Sequence, residues 1–473
     1  MSTTLTGSPL AAADEFGKIE IHGIDYIPTA ERHGRPSELF MLWAAPNVTY
    51  LYIVLGGALI GLGLNAWEGI GIVILGNLFW VLAGFLSISG PASGTPSSVV
   101  MRAMFGIRGN RVNAAITGWV IAVAYEAINL SVAALAGFAL LGTLGVQVTL
   151  LWKLIIVLAT AVVTLAISVY GHATIVKLSG LFTAALTLCC VLLACYVAPH
   201  VNMNFVPQAA PTGSALLAAA FAGLTIIASG PLSWGTGADY ARYLPARSSA
   251  KAITFWVTLG SFIPAAGLGI LGVLAGTAVD MTNPQTSFAT ILPAWFYPVF
   301  LAVIILGSIT NNILTAYSSG LALQAVGIKA SRSITVLFDG AVGIAICLYA
   351  VLISNFITAL SNILSLSVAL LGPSLAIYAA DILIRHNRYN GVALHDETPS
   401  SPFWFSGGFN IAGVAALLVA TGAALLCVNT AVFVGPISNL LAGADISSLV
   451  GPILGAAIYT AITLLSRRTK GAS

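Results

Sequence analysis

Charge is what this chain has least of. Lys and Arg number 18 and Asp and Glu 15 among 473 residues, 7% in all, while 58% are apolar. A water-soluble domain carries about 25% charged residues to keep its surface hydrated. A single soluble core stops growing near roughly 250–300 residues, so a soluble globular protein is excluded. Cysteine is also scarce: the five present lie inside apolar runs without metal-ligand spacing. They read as small core residues rather than a disulfide scaffold or a metal site. None of the six histidines falls near the middle of an apolar run, which argues against a histidine proton relay. An embedded enzyme would need a nucleophile–base pair or metal cluster at depth, and a channel a filter repeat or ring of charge; neither is visible. Glycine has no three-residue period, and the alternating pattern of a membrane barrel is missing.

Long apolar sequence is what the chain has in abundance. Runs of the roughly 20 residues needed to cross hydrocarbon occupy 38–65, 68–90, 110–143, 149–169, 175–197, 213–239, 251–276, 290–325, 331–353, 355–384, 405–428 and 446–466. Backbone groups left unpaired in lipid are costly, so the runs must be helices. The expected fold is an all-α polytopic membrane protein with twelve transmembrane helices. Basic residues test that count. Lys18, Arg32, Arg35, Arg102, Arg108, Arg111, Lys177, Arg242, Arg247, Lys251, Lys329, Arg332, Arg385, Arg388, Arg467, Arg468 and Lys470 all fall on one side, and only Lys153 on the other. The positive-inside rule then puts both termini in the cytoplasm of a plasma or inner membrane. Residues 1–37, lacking the apolar stretch of a cleavable signal, read as a cytoplasmic tail, and 467–473 as a second.

Two spans are interrupted. Span 1 carries Trp43-Ala44-Ala45-Pro46-Asn47-Val48, and span 6 carries Ser229-Gly230-Pro231-Leu232-Ser233-Trp234-Gly235-Thr236-Gly237. Proline removes a donor and clashes with the preceding turn. A lone proline kink has no necessary link to transport, but these breaks lie five spans apart. Interrupted segments at matching positions of two halves point to a transporter of inverted repeats with its site at the midplane. The expected transport core is 38–384, its repeats about 38–197 and 213–384, with 405–466 an addition.

Polar side chains within the spans supply a candidate site. Asn129 of span 3 lies four residues from Tyr125 and three from Glu126, so the three are expected to share one face. Glu126 is the one acid near mid-span; a buried carboxyl there marks function by default, or else a neutralised structural acid. Ser308, Asn311, Asn312 and Thr315 form a polar stripe on span 8, either a site or interhelical glue worth about 0.6 kcal/mol per bond. Asp239 and Asp381 sit at span ends, where solvation or an arginine accounts for them, and Asp339 lies deeper in span 9 with no assigned role. Adding Asn47, Ser233, Trp234 and Thr310 gives aromatics, amides and hydroxyls around a single carboxyl, with no midplane Lys or Arg. Aromatic stacking contributes roughly 1–3 kcal/mol per base, and an Asn amide pairs bidentately with a base edge. A neutral heteroaromatic such as a nucleobase fits this set better than a sugar or a fatty acid.

Four segments carry a resemblance. Gly23-Ile24-Asp25-Tyr26-Ile27-Pro28 with Glu31-Arg32 and Leu39-Phe40-Met41-Leu42-Trp43 resembles the entry to span 1 of nucleobase–cation symporters. Gly94-Thr95-Pro96-Ser97 with Met101-Arg102-Ala103-Met104-Phe105-Gly106 is similar to their loop between spans 2 and 3. Ala238-Asp239-Tyr240-Ala241-Arg242-Tyr243-Leu244-Pro245 resembles their span 6 signature, and Tyr317-Ser318-Ser319-Gly320-Leu321-Ala322-Leu323-Gln324 the purine–cytosine permease branch. The resemblance implies a leucine-transporter-type fold, five spans plus five inverted with two extra helices. It also implies alternating access and uptake of a purine, cytosine or related compound with H⁺ or Na⁺. It places the span 3 aromatic on Tyr125 and amide on Asn129, the span 6 aromatic on Trp234, and the span 8 motif on Asn311, Asn312 and Thr315. Tyr125 stands where the family usually has Trp, and Thr315 where it commonly has Asn. The implied sodium site uses Ala44, Ala45, Gly307 and Thr310; Glu126 is the alternative proton site. An amino-acid or other small-solute symporter of the same fold is the competing reading. No catalytic residue, metal or nucleic-acid partner is expected.

Overall fold

Backbone hydrogen bonding inside hydrocarbon leaves helix as the solution for each apolar run, and the computed structural model follows it. It describes residues 23–170, 172–207, 210–282, 284–353 and 356–471; the first 22 residues of the expected tail lie outside these. Among the described residues there is no strand beyond two isolated bridges, Ser406 with Phe409 and Asn429 with Val434.

Span 1 is two helices, Glu38–Asn47 and Tyr50–Gly61, bent by 55°. Span 2 covers Ala66–Ser93, span 3 Ile107–Thr143, span 4 Leu150–Tyr170 and span 6 Ser214–Ala241. Span 5 is His172–Val197 and span 10 Phe356–Ile384. Span 7 is Ala250–Gly276, span 8 Phe296–Ala325 and span 9 Arg332–Leu352. Span 12 is Ser447–Gly471. Among the described residues ten helices are long and apolar enough to cross a membrane, and the bent pair makes eleven. Eleven of the twelve expected spans reach this length; at 405–428 the helix covers only Ile411–Leu426. Asn410 starts it late, its side chain accepting from the Ala412 N–H at 3.2 Å. Sixteen residues rise about 24 Å, short of the roughly 30 Å of hydrocarbon.

Close helix contact rests on small residues, as in other membrane bundles. The second half of span 1 lies along span 7, where a Cβ on Gly272 would strike the Ile53 carbonyl and one on Gly56 the Gly269 carbonyl. Span 3 lies along span 8 and also meets spans 4 and 9; spans 10, 12 and the short helix pack together.

The segments that carried the resemblance converge at the end of the bundle rich in basic residues. The Ile27 N–H donates to the Gly94 carbonyl at 2.8 Å. Arg32 donates to the carbonyls of Ile27 and Pro91, and Arg242 to that of Gly23. Gly94 takes the left-handed conformation, φ 65°, and a Cβ there would collide with the Arg32 guanidinium. Residues 23–37 are thus laid against spans 2 and 6 as part of the fold. Beside them Glu397 bridges Arg102 at 2.6 Å and Arg111 at 2.5 Å. Burial raises the Glu397 carboxyl, but the two guanidiniums hold it below its ordinary value. Burial and the nearby Arg102 push the His395 imidazole down to about 4.

Candidate functional site

The break in span 1 falls just after the proline–amide pair. Pro46 is inside the first helix, and the chain leaves helical geometry at Val48 (ψ 72°) and Thr49 (φ −130°, ψ 143°). Asn47 folds back, its amide donating to the Trp43 carbonyl at 2.7 Å and its Oδ1 accepting from the Tyr52 hydroxyl at 2.7 Å. Both ends of Asn47 are occupied and it is 1% exposed; it holds the bend and does not line the cavity described below.

Span 6 continues through Pro231 to Leu232, opens over residues 233–236 and resumes at Gly237–Ala241. The Ser233 hydroxyl closes the first piece by donating to the Gly230 carbonyl at 2.7 Å. Trp234 then projects beside the first break, edge-on to Trp43 with ring centroids 5.4 Å apart. Trp43 also meets Trp80 at 6.0 Å and Tyr240 at 5.8 Å. The two interruptions are therefore joined by an aromatic cluster.

Between them lies a cavity of ≈ 1050 Å³, its open mouth included. Five residues expected at the site line it: Tyr125, Ser233, Trp234, Asn311 and Thr315. Its wall runs along the first half of span 3 from Asn113 to Tyr125 and the second halves of spans 6 and 8 as far as Asp239 and Ala322. It therefore extends from the breaks toward the basic end of the bundle. The Tyr125 hydroxyl joins three spans, donating to the Ser229 carbonyl at 3.2 Å and lying 3.0 Å from the Ser367 hydroxyl.

Asn129 and Asn312 sit behind this wall. The Asn129 amide donates at 3.4 Å to the carbonyl oxygens of both Asn311 and Asn312, and the Asn312 Nδ2 is buried with no partner. Thr315 donates to the Asn311 backbone carbonyl at 3.2 Å. The three amides form one cluster, of which only Asn311 reaches the cavity surface.

Glu126 points elsewhere. One residue turns a helix by about 100°, so Glu126 faces away from Tyr125 toward span 9. There a Cβ on Gly343 would lie 3.2 Å from its carboxyl carbon. It meets Asp339, to which the sequence assigned no role and which is 0% exposed. Asp339 accepts from the Trp119 indole N–H at 2.9 Å. No periodicity within span 3 reveals such a partner on a helix six spans later.

Asp239 meets expectation only in part. Of the two accounts, solvation fails and a nearby arginine holds: it is 2% exposed, feels the charge of Arg242 and lines the cavity, its Oδ1 accepting from the Ser97 N–H at 2.8 Å. Asn113 and Thr117, also in the wall, were missed, although their spacing of four residues was a readable signal.

The residues of the implied sodium site come together only in part. The Ala44 carbonyl already accepts from the Val48 N–H at 2.9 Å, and Ala45 is fully buried. Gly307 lies against the break, where a Cβ would be 3.1 Å from the Val48 carbonyl. Thr310 donates to the Leu306 carbonyl at 2.8 Å, while the buried Ser308 hydroxyl has no partner.

With this geometry established, known proteins supply a comparison. Residues 26–451 match the family model described as permease for cytosine/purines, uracil, thiamine, allantoin. A protein of Bacillus subtilis (strain 168), YxlA, provisionally named a purine-cytosine permease, is 25% identical over 458 residues, covering 93% of this chain and 95% of the relative. Among solved structures, Mhp1, a nucleobase-cation-symport-1 family transporter in a closed conformation with bromovinylhydantoin bound, superposes with a TM-score of 0.75. It is 16% identical and covers 98% of this chain and 97% of its own. A Na⁺-coupled sialic acid symporter in a substrate-bound outward-open state gives 0.51, at 12% identity over 91% of this chain and 95% of its own. At these identities the two structures establish a shared fold.

Proposed function

The chain belongs to the family of permeases for cytosine/purines, uracil, thiamine and allantoin, and on that premise we propose that it imports a neutral, flat nitrogen heterocycle by cation symport. As a permease of this family it is a secondary transporter and not an enzyme. The observation that carries the substrate reading is the cavity between the two helix breaks. Trp234 and Tyr125 offer ring faces there, Asn311, Ser233 and Thr315 offer polar edges, and no Lys or Arg is among the lining residues. A cytosine or purine meets such a site through stacking and edge hydrogen bonds. The orphaned Asn312 amide behind the wall is a donor that becomes satisfied if the amide cluster shifts toward a bound base.

The wall runs toward the basic end, so in this reading the cavity faces the cytoplasm in a cell membrane. The repeats about 38–197 and 213–384 then move against one another around the breaks. Coupling to a cation accords with the descriptions of both fold relatives. One charge moving inward through 100 mV contributes about 2.3 kcal/mol, sufficient to drive accumulation. The test is uptake of labelled cytosine, adenine, hypoxanthine, uracil, allantoin and leucine, with and without Na⁺ and a protonophore. Uptake of at least one base, competed by its relatives and not by leucine, is expected. Leucine uptake with no base transport would replace this reading with an amino-acid carrier.

A further inference from the structure

Glu126 and Asp339 face each other between spans 3 and 9, behind the cavity wall and outside the cavity itself. They are 1% and 0% exposed. Their carboxyls interact without closing a well-formed hydrogen bond. Both oxygens of Glu126 and the Oδ2 of Asp339 are buried without a hydrogen-bond partner. An unpartnered carboxylate in such a place is strongly disfavoured, and two side by side repel strongly in a low dielectric. Such pairs do not ionise together; they hold a proton between them.

Among the described residues no countercharge relieves the pair. Span 8 contains no Asp, Glu, Lys, Arg or His. Span 4 contributes only Lys153, lying 5.8 Å over the Phe138 ring toward its other end, and Tyr170 at its terminus. On span 9, Arg332 is two turns from Asp339 and donates to the carbonyls of Ser168 and Val169. The same helix brings Cys347, buried two turns on the other side. The acid of span 10, Asp381, is paired with Arg385 at its far end. The neutralising ligand that fits is a proton.

We propose that Glu126 and Asp339 are the proton-binding site of the transport cycle, a shared-proton pair set apart from the substrate and tied to it through span 3. The tie is visible in the helix. Residues Ala114–Val120 form a π-helical turn, a feature frequent at functional sites. Ala114, Thr117 and Gly118 of that turn line the cavity, while Trp119 of the same turn donates to Asp339. A proton arriving from outside cancels one charge and lets spans 3 and 9 close. Its departure inward leaves the pair holding its shared proton and one buried charge again, and shifts Trp119 together with the cavity wall. This inference rests on the proposed symport and names its cation.

The test uses the full-length protein in proteoliposomes with the membrane potential clamped. A gradient of one pH unit drives accumulation up to about tenfold at one proton per substrate. The wild type is expected to accumulate cytosine or adenine under this gradient. Glu126→Gln and Asp339→Asn should fall to simple equilibration yet keep counterflow exchange, which needs no net proton movement. Accumulation by both variants equal to wild type, or accumulation that follows Na⁺ alone, would overturn the proposal. Infrared difference spectra of the purified protein across pH read the pair without transport. A titrating buried carboxyl band lost in Glu126→Gln supports it; no such band in the wild type refutes it. If the band is present but no base is exchanged, the substrate reading fails and the proton pair stands.

Discussion

Replacing Trp234 with alanine separates recognition from architecture at the cavity. The indole lines the cavity and also meets Trp43 edge-on at 5.4 Å. A base stacked on an aromatic face gains roughly 1–3 kcal/mol, which at 1.4 kcal/mol per tenfold corresponds to about 5- to 150-fold in affinity. The Trp43 contact is worth about 0.5–1.5 kcal/mol and acts on stability, since it exists without substrate. Trp234→Ala should therefore raise KM for the transported base about 5- to 150-fold and lower Tm slightly. Trp234→Phe should recover most of the affinity. Initial uptake rates over a range of base concentrations, equilibrium binding to purified protein and thermal denaturation together measure these terms. An alanine variant present in the membrane with KM within about twofold of wild type would refute stacking on this ring.

Other perturbations test separate parts of the reading. Asn312→Ala removes a member of the amide cluster and leaves Asn129 with a lost partner; at about 1–3 kcal/mol for an unsatisfied buried group, base uptake should fall at least about fivefold at normal membrane expression, as uptake assays on surface-quantified protein will show. Gly272→Val drives a side chain into the Ile53 carbonyl; overpacking costs about 1–3 kcal/mol, and a lowered Tm checks it. The loop after span 10 predicts acid sensitivity. His395 has its folded value depressed from 6.5 to about 4, so its contribution is full above 6.5 and is lost as pH falls toward 4. Glu397, also depressed, adds a further loss below its ordinary value of 4.5. Tm should fall on acidification through this window, and His395→Gln should flatten the part above 4.5.

Much of the chain was legible as sequence because membrane physics leaves few choices. Scarce charge and apolar runs dictated a helical membrane protein, and the interruptions at Pro46 and Gly230-Pro231 located two discontinuous helices. Tyr125, Trp234, Asn311 and Thr315 could be assembled from helical spacing together with the family resemblance, since each belongs to a local pattern. In one run, 405–428, the helix is shorter than the apolar stretch, covering Ile411–Leu426, because such a stretch does not show where an Asn cap begins the helix. Asn47 read as a site residue, whereas its side chain is spent on the bend.

Sequence alone thus determined the class of protein, the course of its spans and the aromatic and amide side chains available near its centre. Those properties follow from composition and from contacts between residues close along the chain. Only the tertiary structure decided which way each side chain turns. It put Tyr125 in the cavity and its neighbour Glu126 behind it, drew Asp239 into the wall, and set Asp339 against Glu126 from more than two hundred residues away. A helix presents every residue to some neighbour, and which neighbour stands there is settled by packing between helices distant in sequence.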